Sequence, residues 1–361
     1  MYLLDLIHQA IDYCLTQVKL VQNREIGWQT LDRKTGQLKR EQQPILKKLK
    51  LLILFSRLVE WVDVTKAMRL WIHDKTIREG KVEGTHASAS RIKPFVDFYH
   101  INMNDFEPSD ISAYGSFEEF FVRRHKPGSR PIFAPDDPTK AVVVADSRVV
   151  VYPTVSDTKR LWIKGHHFTI ANLIGETDNN PNLSTSSGSA TDSVPGSASS
   201  LASYWSDGAV ASFRLSPQDY HRYHSPVRGR VDWFKQIPGE YYQVDPLCLQ
   251  SDVDILTANA RCCICLDTEE FGKVLFVAIG ATNVGTVDIH EKCRTVGSKI
   301  EKGDEVGLFQ FGGSSIIVAF EKGRIEFDKD LLELSRQKIM VDVEVGMSLG
   351  AATARQPAQP A

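Results

Sequence analysis

The chain has 361 residues, of which 42% are apolar and 24% charged, and its formal net charge is −2. These values are typical of a globular protein large enough for one or two hydrophobic cores, and they lack the strongly basic character that predicts nucleic-acid binding. No segment approaches the roughly 20 apolar residues that a membrane-spanning helix needs. Acidic Asp5 interrupts the apolar start, which argues against a secretory signal, so we expect an intracellular protein, cytoplasmic or peripheral on a membrane.

The N-terminal segment, residues 1–90, carries a strand–turn–strand pattern around Lys34 and Gly36, followed by a predicted basic amphipathic helix at about residues 46–72. Apolar residues recur along that helix at the spacing of one face: Leu51, Phe55, Leu58 and Val62. One interpretation packs the helix against the core, and the other lays it on an anionic membrane surface. The sequence alone favours packing against the core.

The following part of the chain, residues 91–350, is predicted to form one domain. Residues 92–132 have the pattern of short helices and turns, and β-rich sequence begins at Ala141. Residues 177–203 are rich in Ser, Thr, Gly and Asn and hold hardly any large apolar side chains, which predicts a flexible insertion. Residues 351–361 are predicted to be a disordered tail. The expected fold class is therefore α+β, with N-terminal helices followed by a mainly antiparallel β domain that the disordered insertion interrupts.

Three of the six cysteines cluster in the sequence RCCICLD, at Cys262, Cys263 and Cys265, among apolar residues. A zinc site usually needs two pairs of ligands at matching separation, and the sequence offers no second pair. We therefore interpret these residues as thiols of a buried strand, and we expect neither a metal site nor a disulfide framework.

Reactive residue types concentrate in three separate segments. Asp146 follows the apolar run AVVVA, and Ser314 follows two glycines at the head of another apolar run. His221 and His224 stand three residues apart in LSPQDYHRYHSPVRG. Each feature alone has an ordinary structural explanation, as a turn residue, a hydrogen-bonded histidine pair or a loop. Together, Asp, His and Ser can form a nucleophile, base and orienter set, which depends on geometry and not on chain order.

The residues around Ser314 disfavour a serine hydrolase, whose nucleophile sits in a G-x-S-x-G turn that leads from a strand into a helix. Here β-forming residues follow the serine, and the second glycine is absent. At a Gly–Ser bond, a deprotonated hydroxyl can instead attack the preceding carbonyl, and glycine leaves that approach open. Elimination from the resulting ester cuts the chain, and hydrolysis leaves a pyruvoyl ketone. Such a ketone forms a Schiff base with an amine substrate and accepts electrons when CO2 leaves.

Five segments together resemble one enzyme family: SFEEFFVRRHKPGSRPI, VVADSRV, LWIKGHHFTIANLIG, LSPQDYHRYHSPVRGRV and KGDEVGLFQFGGSSI. They resemble the phosphatidylserine decarboxylase family of pyruvoyl enzymes, whose first and last motifs read F-x-x-F-F-x-R-x-L-K-P-x-x-R-P-I and K-G-x-E-x-G-x-F-x-x-G-S-T/S. The similarity runs from roughly residue 50 to residue 350, and its order and spacing make chance agreement a poor explanation. It implies that residues 91–350 are the catalytic domain of a pyruvoyl decarboxylase.

The resemblance implies a self-cleavage bond between Gly313 and Ser314. Cleavage there would give a β chain of residues 1–313 and an α chain of residues 314–361. Ser314 would become the covalent pyruvoyl cofactor at the start of the α chain, and it would bind the amine of the substrate.

The resemblance also assigns roles to three other residues. His224 and Asp146 would act as base and orienter for Ser314 in self-processing, whereas His221 would be the acid or base of decarboxylation. Histidine suits this work because its unperturbed pKa is about 6.5. No metal ligand is implied.

Three residues depart from the family pattern near the expected pocket. Ser147 stands where a glycine usually follows the processing aspartate, His125 stands where leucine is frequent, and Arg228 stands where a smaller or acidic residue is frequent. Similar eukaryotic relatives often carry an upstream calcium-dependent lipid-binding module, and this sequence begins without one. These departures bear on the identity of the substrate.

The leading functional expectation is a carboxy-lyase that converts phosphatidylserine to phosphatidylethanolamine and CO2, with a phospholipid substrate and a peripheral membrane contact. An alternative keeps the chemistry but takes a free amino acid such as tryptophan, in small-molecule biosynthesis. The remote alternatives are a serine hydrolase and an inactive scaffold. No nucleic-acid partner is expected, and a homodimer is compatible with the sequence.

Overall fold

The computed structural model describes these segments of the chain: residues 29–40, 82–157, 169–176, 201–240, 255–281, 286–310 and 314–353. The predicted basic helix at 46–72 lies outside the described residues, as do residues 177–200 of the predicted insertion. Gly313 and the predicted tail from residue 354 onward also lie outside them.

Strands dominate the described part of the chain, and its helices are short. The strands are β1 (Gln29–Asp32), β2 (Leu38–Arg40), β3 (Phe106–Glu107), β4 (Arg124–His125), β5 (Lys140–Val142), β6 (Ser147–Tyr152), β7 (Ala209–Leu215), β8 (Arg222–His224), β9 (Gly229–Ile237), β10 (Arg261–Thr268), β11 (Gly272–Ile279), β12 (Thr286–Ile289), β13 (Lys299–Ile300), β14 (Glu305–Gln310), β15 (Ser314–Phe320), β16 (Ile325–Phe327), β17 (Met340–Val343) and β18 (Ser348–Ala352). The α-helices are α1 (Ile92–Tyr99), α2 (Phe117–Phe121), α3 (Ile170–Ile174), α4 (Ile255–Ala258), α5 (Glu291–Arg294) and α6 (Lys329–Arg336). Short 3-10 turns lie at His86–Arg91, Met103–Asp105, Ile111–Ala113 and Leu201–Trp205.

Ten of the strands form one large sheet in the order β13–β9–β10–β11–β15–β7–β6–β17–β1–β2. Its neighbours pair antiparallel, with the single exception of β1 and β17, which run parallel. Two three-stranded sheets, β12–β14–β8 and β16–β18–β5, and the pair β3–β4 complete the described strands. The short helices and the mainly antiparallel sheet confirm the predicted α+β class.

The large sheet carries a hydrophobic core on each face, because successive side chains of a strand point to opposite sides. In β15, Ile316 and Val318 belong to one core, and Ile317 and Ala319 belong to the other. The two three-stranded sheets contribute to the first core, whereas α3, α4 and the 3-10 turn before β7 contribute to the second. Burial on both faces explains the uninterrupted apolar sequence of β15.

The clustered cysteines lie in β10, which is buried on both faces. Cys262 belongs to the first core, and Cys263 and Cys265 belong to the second. All three are buried free thiols. Burial raises the pKa of the Cys262 thiol to about 11, so the unreactive protonated form prevails at neutral pH. Their interpretation as thiols of a buried strand is confirmed.

Helix α2 lies in a separate aromatic cluster that packs beside the site described below. Its first turn is capped by Ser116, whose hydroxyl accepts from the Glu119 amide at 3.1 Å. Phe117, Phe120 and Phe121 are buried together with the start of α1. This packing fixes the strand and loop that follow α2, which include His125.

The predicted strand–turn–strand near the N-terminus is confirmed as the hairpin of β1 and β2. The carboxylate of Asp32 accepts from the amides of Lys34 and Thr35 at 2.9 and 3.1 Å, and Gly36 takes a positive φ of 68°. The hairpin extends the large sheet through β17, so residues before position 90 share a sheet with the later part of the chain.

No helix among the described residues has the length and apolar character that crossing a membrane requires.

Candidate active site

Ser314 is the first residue of β15, where it pairs with Leu215 of β7. Its side chain is fully buried, and its hydroxyl has no hydrogen-bond partner within the described residues. Burying a hydroxyl without a partner costs roughly 1–3 kcal/mol, so buried hydroxyls are usually bonded. A hydroxyl that carries this cost at a strand head fits a group used in chemistry, and Ser314 therefore fits the serine from which a pyruvoyl group would form.

His221 lies immediately before β8 and is fully buried. Its Nδ1 is 2.9 Å from the carbonyl oxygen of Asp219, and because a carbonyl only accepts, Nδ1 donates in this contact. The imidazole packs on the ring of Phe121, with centroids 3.9 Å apart. The His221 carbonyl accepts from the amide of Phe309 at 2.9 Å, near the end of β14. These contacts fix His221 beside the strand that leads toward Ser314.

His224 ends β8, and both nitrogens of its ring are bonded. Nδ1 is 2.9 Å from the carbonyl oxygen of Gly303 and donates to it. Nε2 is 3.1 Å from the hydroxyl of Tyr220 and accepts from it in that tautomer. Burial lowers the pKa of His224, and the bond to Gly303 offsets only part of this effect. The neutral ring is therefore favoured, with Nε2 as its basic atom.

Asp146 lies between β5 and β6, and three groups donate to its carboxylate. His125 Nε2 and Arg130 Nη2 lie 3.1 and 2.9 Å from Oδ2. The backbone amide of Val345 lies 2.8 Å from Oδ1. Burial alone would raise the pKa of Asp146, but the hydrogen bond from His125 and the charge of Arg130 together hold it well below its ordinary value. Asp146 is therefore an anion throughout the neutral range.

Asp146 and His224 lie on either side of two rings in contact, those of His125 and Tyr220. No direct hydrogen bond joins Asp146, His224 and Ser314 in the part of the chain that the structure describes. The ring of His125, which bonds Asp146, lies 4.0 Å from the ring of Tyr220, which bonds His224. The sequence analysis marked His125 only as a departure from the family motif. The role of Asp146, His224 and Ser314 as a processing set stays a prediction.

Two buried arginines hold the loop that carries His221, and the sequence analysis gave neither of them a role. Arg123 donates to two carbonyls of that loop, the nearer at 2.7 Å. Burial lowers the pKa of Arg123 to about 10, which still leaves it charged. Arg148 Nη1 lies 2.7 Å from the Ser216 hydroxyl and 2.7 Å from the Asp219 carboxylate. The only signal for either arginine was its position in SFEEFFVRRHKPGSRPI or VVADSRV, the segments that carry the resemblance.

A polar cavity of about 250 Å³ opens beside Asp146. Its wall includes Tyr220, two arginines and several residues of the β1–β2 hairpin and β17. Ser314 and the two predicted histidines are not part of this wall, so the cavity lies on the Asp146 side of the site. Within the described residues, no group of three His, Cys, Asp or Glu side chains is arranged to hold a metal ion.

Comparison with known proteins identifies the class to which this fold and site belong. A family model described as phosphatidylserine decarboxylase matches residues 117–351, which is more than half of the chain. That region contains Asp146, both histidines and Ser314. The chain belongs to the phosphatidylserine decarboxylase family, and the resemblance based on its motifs is confirmed.

Individual relatives match over most of this chain. Phosphatidylserine decarboxylase proenzyme 3 of Schizosaccharomyces pombe is 35% identical over 337 residues, or 92% of this chain and 31% of the relative. Phosphatidylserine decarboxylase proenzyme 2 of Oryza sativa subsp. japonica is 39% identical over 285 residues, or 78% of this chain and 42% of the relative. The chain thus spans less than half the length of either protein. A phosphatidylserine decarboxylase proenzyme of Chlamydia trachomatis serovar L2 is 32% identical over 297 residues, and there the match covers 82% of this chain and 83% of the relative.

Proposed function

We propose that this chain is a self-processing, pyruvoyl-dependent decarboxylase that converts phosphatidylserine to phosphatidylethanolamine and CO2. The observation that carries the proposal is the fully buried Ser314, whose hydroxyl has no described partner at the head of β15. Family membership supplies the reaction class, and the names of the relatives supply the substrate. Because that substrate is a membrane lipid, we also propose that the protein works on a membrane surface as an intracellular peripheral enzyme.

Self-cleavage would begin when a base removes the proton of the Ser314 hydroxyl. The oxygen would attack the carbonyl carbon of Gly313, and the amide nitrogen would leave and take up a proton, so that an ester replaces the peptide bond. Removal of the Ser314 Cα proton would then expel the Gly313 carboxylate and leave a dehydroalanine. Addition of water and loss of ammonia would convert that residue into the pyruvoyl group. Each step uses only the chain and water.

His224 is our candidate for the base of self-cleavage. Its Nδ1 proton is engaged by the Gly303 carbonyl, so Nε2 would take the Ser314 proton after releasing its hydrogen bond from the Tyr220 hydroxyl. The lowered pKa of His224, which follows from burial, keeps the ring neutral and able to accept a proton. Asp146 would add a fixed negative charge, which favours the protonated ring once the proton has been taken. This charge acts on His224 through space and raises its pKa, against the larger lowering caused by burial.

His221 is our candidate for the acid of decarboxylation. The pyruvoyl group, once formed, supplies an electrophilic carbonyl that accepts the electron pair released with CO2. In its protonated form, His221 would donate the Nε2 proton to the substrate carbon and keep the Nδ1 proton that bonds the Asp219 carbonyl. The neutral ring would then take up a proton from water before the next turnover. The buried ring of Phe121 beside it would help to keep water from this proton transfer.

Intact-mass analysis of the purified protein tests self-cleavage. We expect two chains, residues 1–313 and 314–361, with a pyruvoyl group in place of Ser314. A single unbroken chain that releases no CO2 from any substrate contradicts the proposal. With cleaved protein, CO2 release is then compared between phosphatidylserine vesicles and free serine or tryptophan. Activity on a free amino acid alone would replace the lipid substrate by the alternative predicted from the sequence.

Variants of the two histidines test their assigned roles. We expect His221→Ala to cleave normally but to lose decarboxylation by roughly 10²–10⁴-fold, the usual contribution of a general acid or base. We expect His224→Ala to slow cleavage by a similar factor. The opposite pattern would exchange the two assignments.

A further inference from the structure

The hairpin of β1 and β2, residues 29–40, contacts the part of the chain that follows the proposed cleavage bond. Strand β1 pairs in parallel with β17, with Thr30 opposite Met340. The described hydrogen bonds and ion pairs that leave this hairpin end on residues 328–348. The hairpin lies outside the region that matches the family model, so that match gives it no role.

Arg33 makes most of these contacts. Its Nε is 2.7 Å from the Asp330 carboxylate, and its Nη2 is 2.8 Å from the Asp328 carboxylate. Its Nη1 donates to the carbonyl of Ser348, and its backbone amide donates to the carbonyl of Asp342 at 3.0 Å. Only 16% of the Arg33 side chain is exposed. The Arg33 side chain thus joins the hairpin to the start of α6 and to β18, with charge-assisted bonds to two carboxylates, and its backbone joins the hairpin to β17.

The segment that the hairpin binds also supports Asp146. Lys34 Nζ lies 3.1 Å from the carboxylate of Glu344, which in turn lies 3.7 Å from Arg130 Nη2. The next residue, Val345, donates its amide to Asp146 Oδ1 at 2.8 Å. A short path of contacts therefore leads from the turn of the hairpin to two of the groups that hold the Asp146 carboxylate.

We propose that the hairpin of residues 29–40 is a positioning element. It docks on residues 314–361, the part of the chain after the proposed cleavage bond, and holds residues 340–348 against Asp146. The proposal rests on the proposed function, because cleavage would turn this docking into a contact between two chains. Arg33 and Lys34 act as positioning residues and touch no reacting atom. When the hairpin is loosened, the Val345 amide is held less firmly, and the carboxylate of Asp146 is less well oriented during self-processing.

Hydrogen exchange followed by mass spectrometry tests the docking in the full chain. In Arg33→Ala, which removes the bonds to two carboxylates and to the Ser348 carbonyl, we expect the amides of residues 340–348 to exchange about tenfold faster. Lys39→Ala is the matched control, because its ion pair with Asp32 stays inside the hairpin. We expect exchange in β10 and β11 to stay unchanged in both variants. Unchanged exchange of residues 340–348 in Arg33→Ala would overturn the proposal, and so would an equal acceleration in β10 and β11.

The rate of self-cleavage tests the link to Asp146. We expect Arg33→Ala to cleave at least about threefold more slowly than the parent, and Arg33→Lys, which keeps the charge, to recover part of the loss. Normal cleavage in Arg33→Ala, or an equal slowing in Lys39→Ala, would refute that link. A parent chain that never cleaves would contradict the proposed function, whereas the exchange experiment would still decide whether the hairpin docks.

Discussion

The ion pair of Arg148 and Asp219 joins β6 to the loop that carries His221, and its removal should lower the free energy of unfolding. Arg148 Nη1 is 2.7 Å from the Asp219 carboxylate, and the two side chains are only 8% and 12% exposed. Arg148→Ala would leave the carboxylate without this counter-charge in a nearly dry environment. Breaking buried pairs in this way costs roughly 3–5 kcal/mol. We expect about 3 kcal/mol, the lower end of that range, because the Ser216 amide still donates to Asp219 at 2.7 Å.

Urea unfolding of the full chain measures this loss, and Lys93→Ala is the control. Lys93 pairs with Asp97 at 2.9 Å, and the two side chains are 71% and 61% exposed. Exposed pairs contribute about 0–1 kcal/mol, so the control should unfold close to the parent. A loss below about 1 kcal/mol in Arg148→Ala, or equal losses in both variants, would refute the reasoning from burial. Because the Asp219 carbonyl orients His221, decarboxylation should also fall in Arg148→Ala and not in the control.

Three further changes test the site. Ser314→Ala should abolish cleavage. It should also raise the free energy of unfolding in urea by about 0–1 kcal/mol, because it removes a buried hydroxyl without a described partner. A clearly lower free energy of unfolding in this variant would contradict that account. Burial lowers the pKa of His224 below its ordinary 6.5, so the unfolded state binds the proton more readily and stability should decline as pH falls below 6.5. In His224→Gln, the difference in Tm between about pH 5 and pH 7 should shrink, and an unchanged difference would point to another group. Asp146→Asn should lower stability by about 2 kcal/mol at neutral pH. Because the pKa of Asp146 is depressed, the deficit relative to the parent should narrow as pH falls below 3.8, and a constant deficit would oppose this reasoning.

Local sequence patterns predicted the elements that their own residues determine. The apolar run of β15 indicated a buried strand, and the turn around Gly36 indicated a hairpin. Both were correct, because burial on two faces and a positive φ leave direct marks on residue type.

Contacts between distant segments could not be derived in the same way. The pairing of β1 with β17 joins residues about 300 positions apart, and nothing in the hairpin sequence names its partner. The motif comparison located Asp146 but not the hydrogen bond from His125, because in the family pattern that position is often a leucine. Arg148 is close to Asp146 in the sequence, yet its side chain bonds Asp219, which lies in the loop between β7 and β8. These pairings depend on the register of the sheet, which local periodicity does not encode.

The position of the proposed cleavage bond has a structural consequence. Cleavage before Ser314 would cut the chain at the head of β15 and leave the strand itself whole. β15 lies between β11 and β7, and β17 lies between β6 and β1, so the fragment of residues 314–361 would supply two interior strands of the large sheet. Each of these strands bonds neighbours on both sides, and releasing the fragment would break all of these ladders and open both cores. The two chains should therefore stay together in gel filtration without denaturant, and the new terminus should stay where the Ser314 side chain is now buried. Separation of the two chains without denaturant would contradict this prediction. It would show that β15 is held less firmly by its neighbours than its burial indicates.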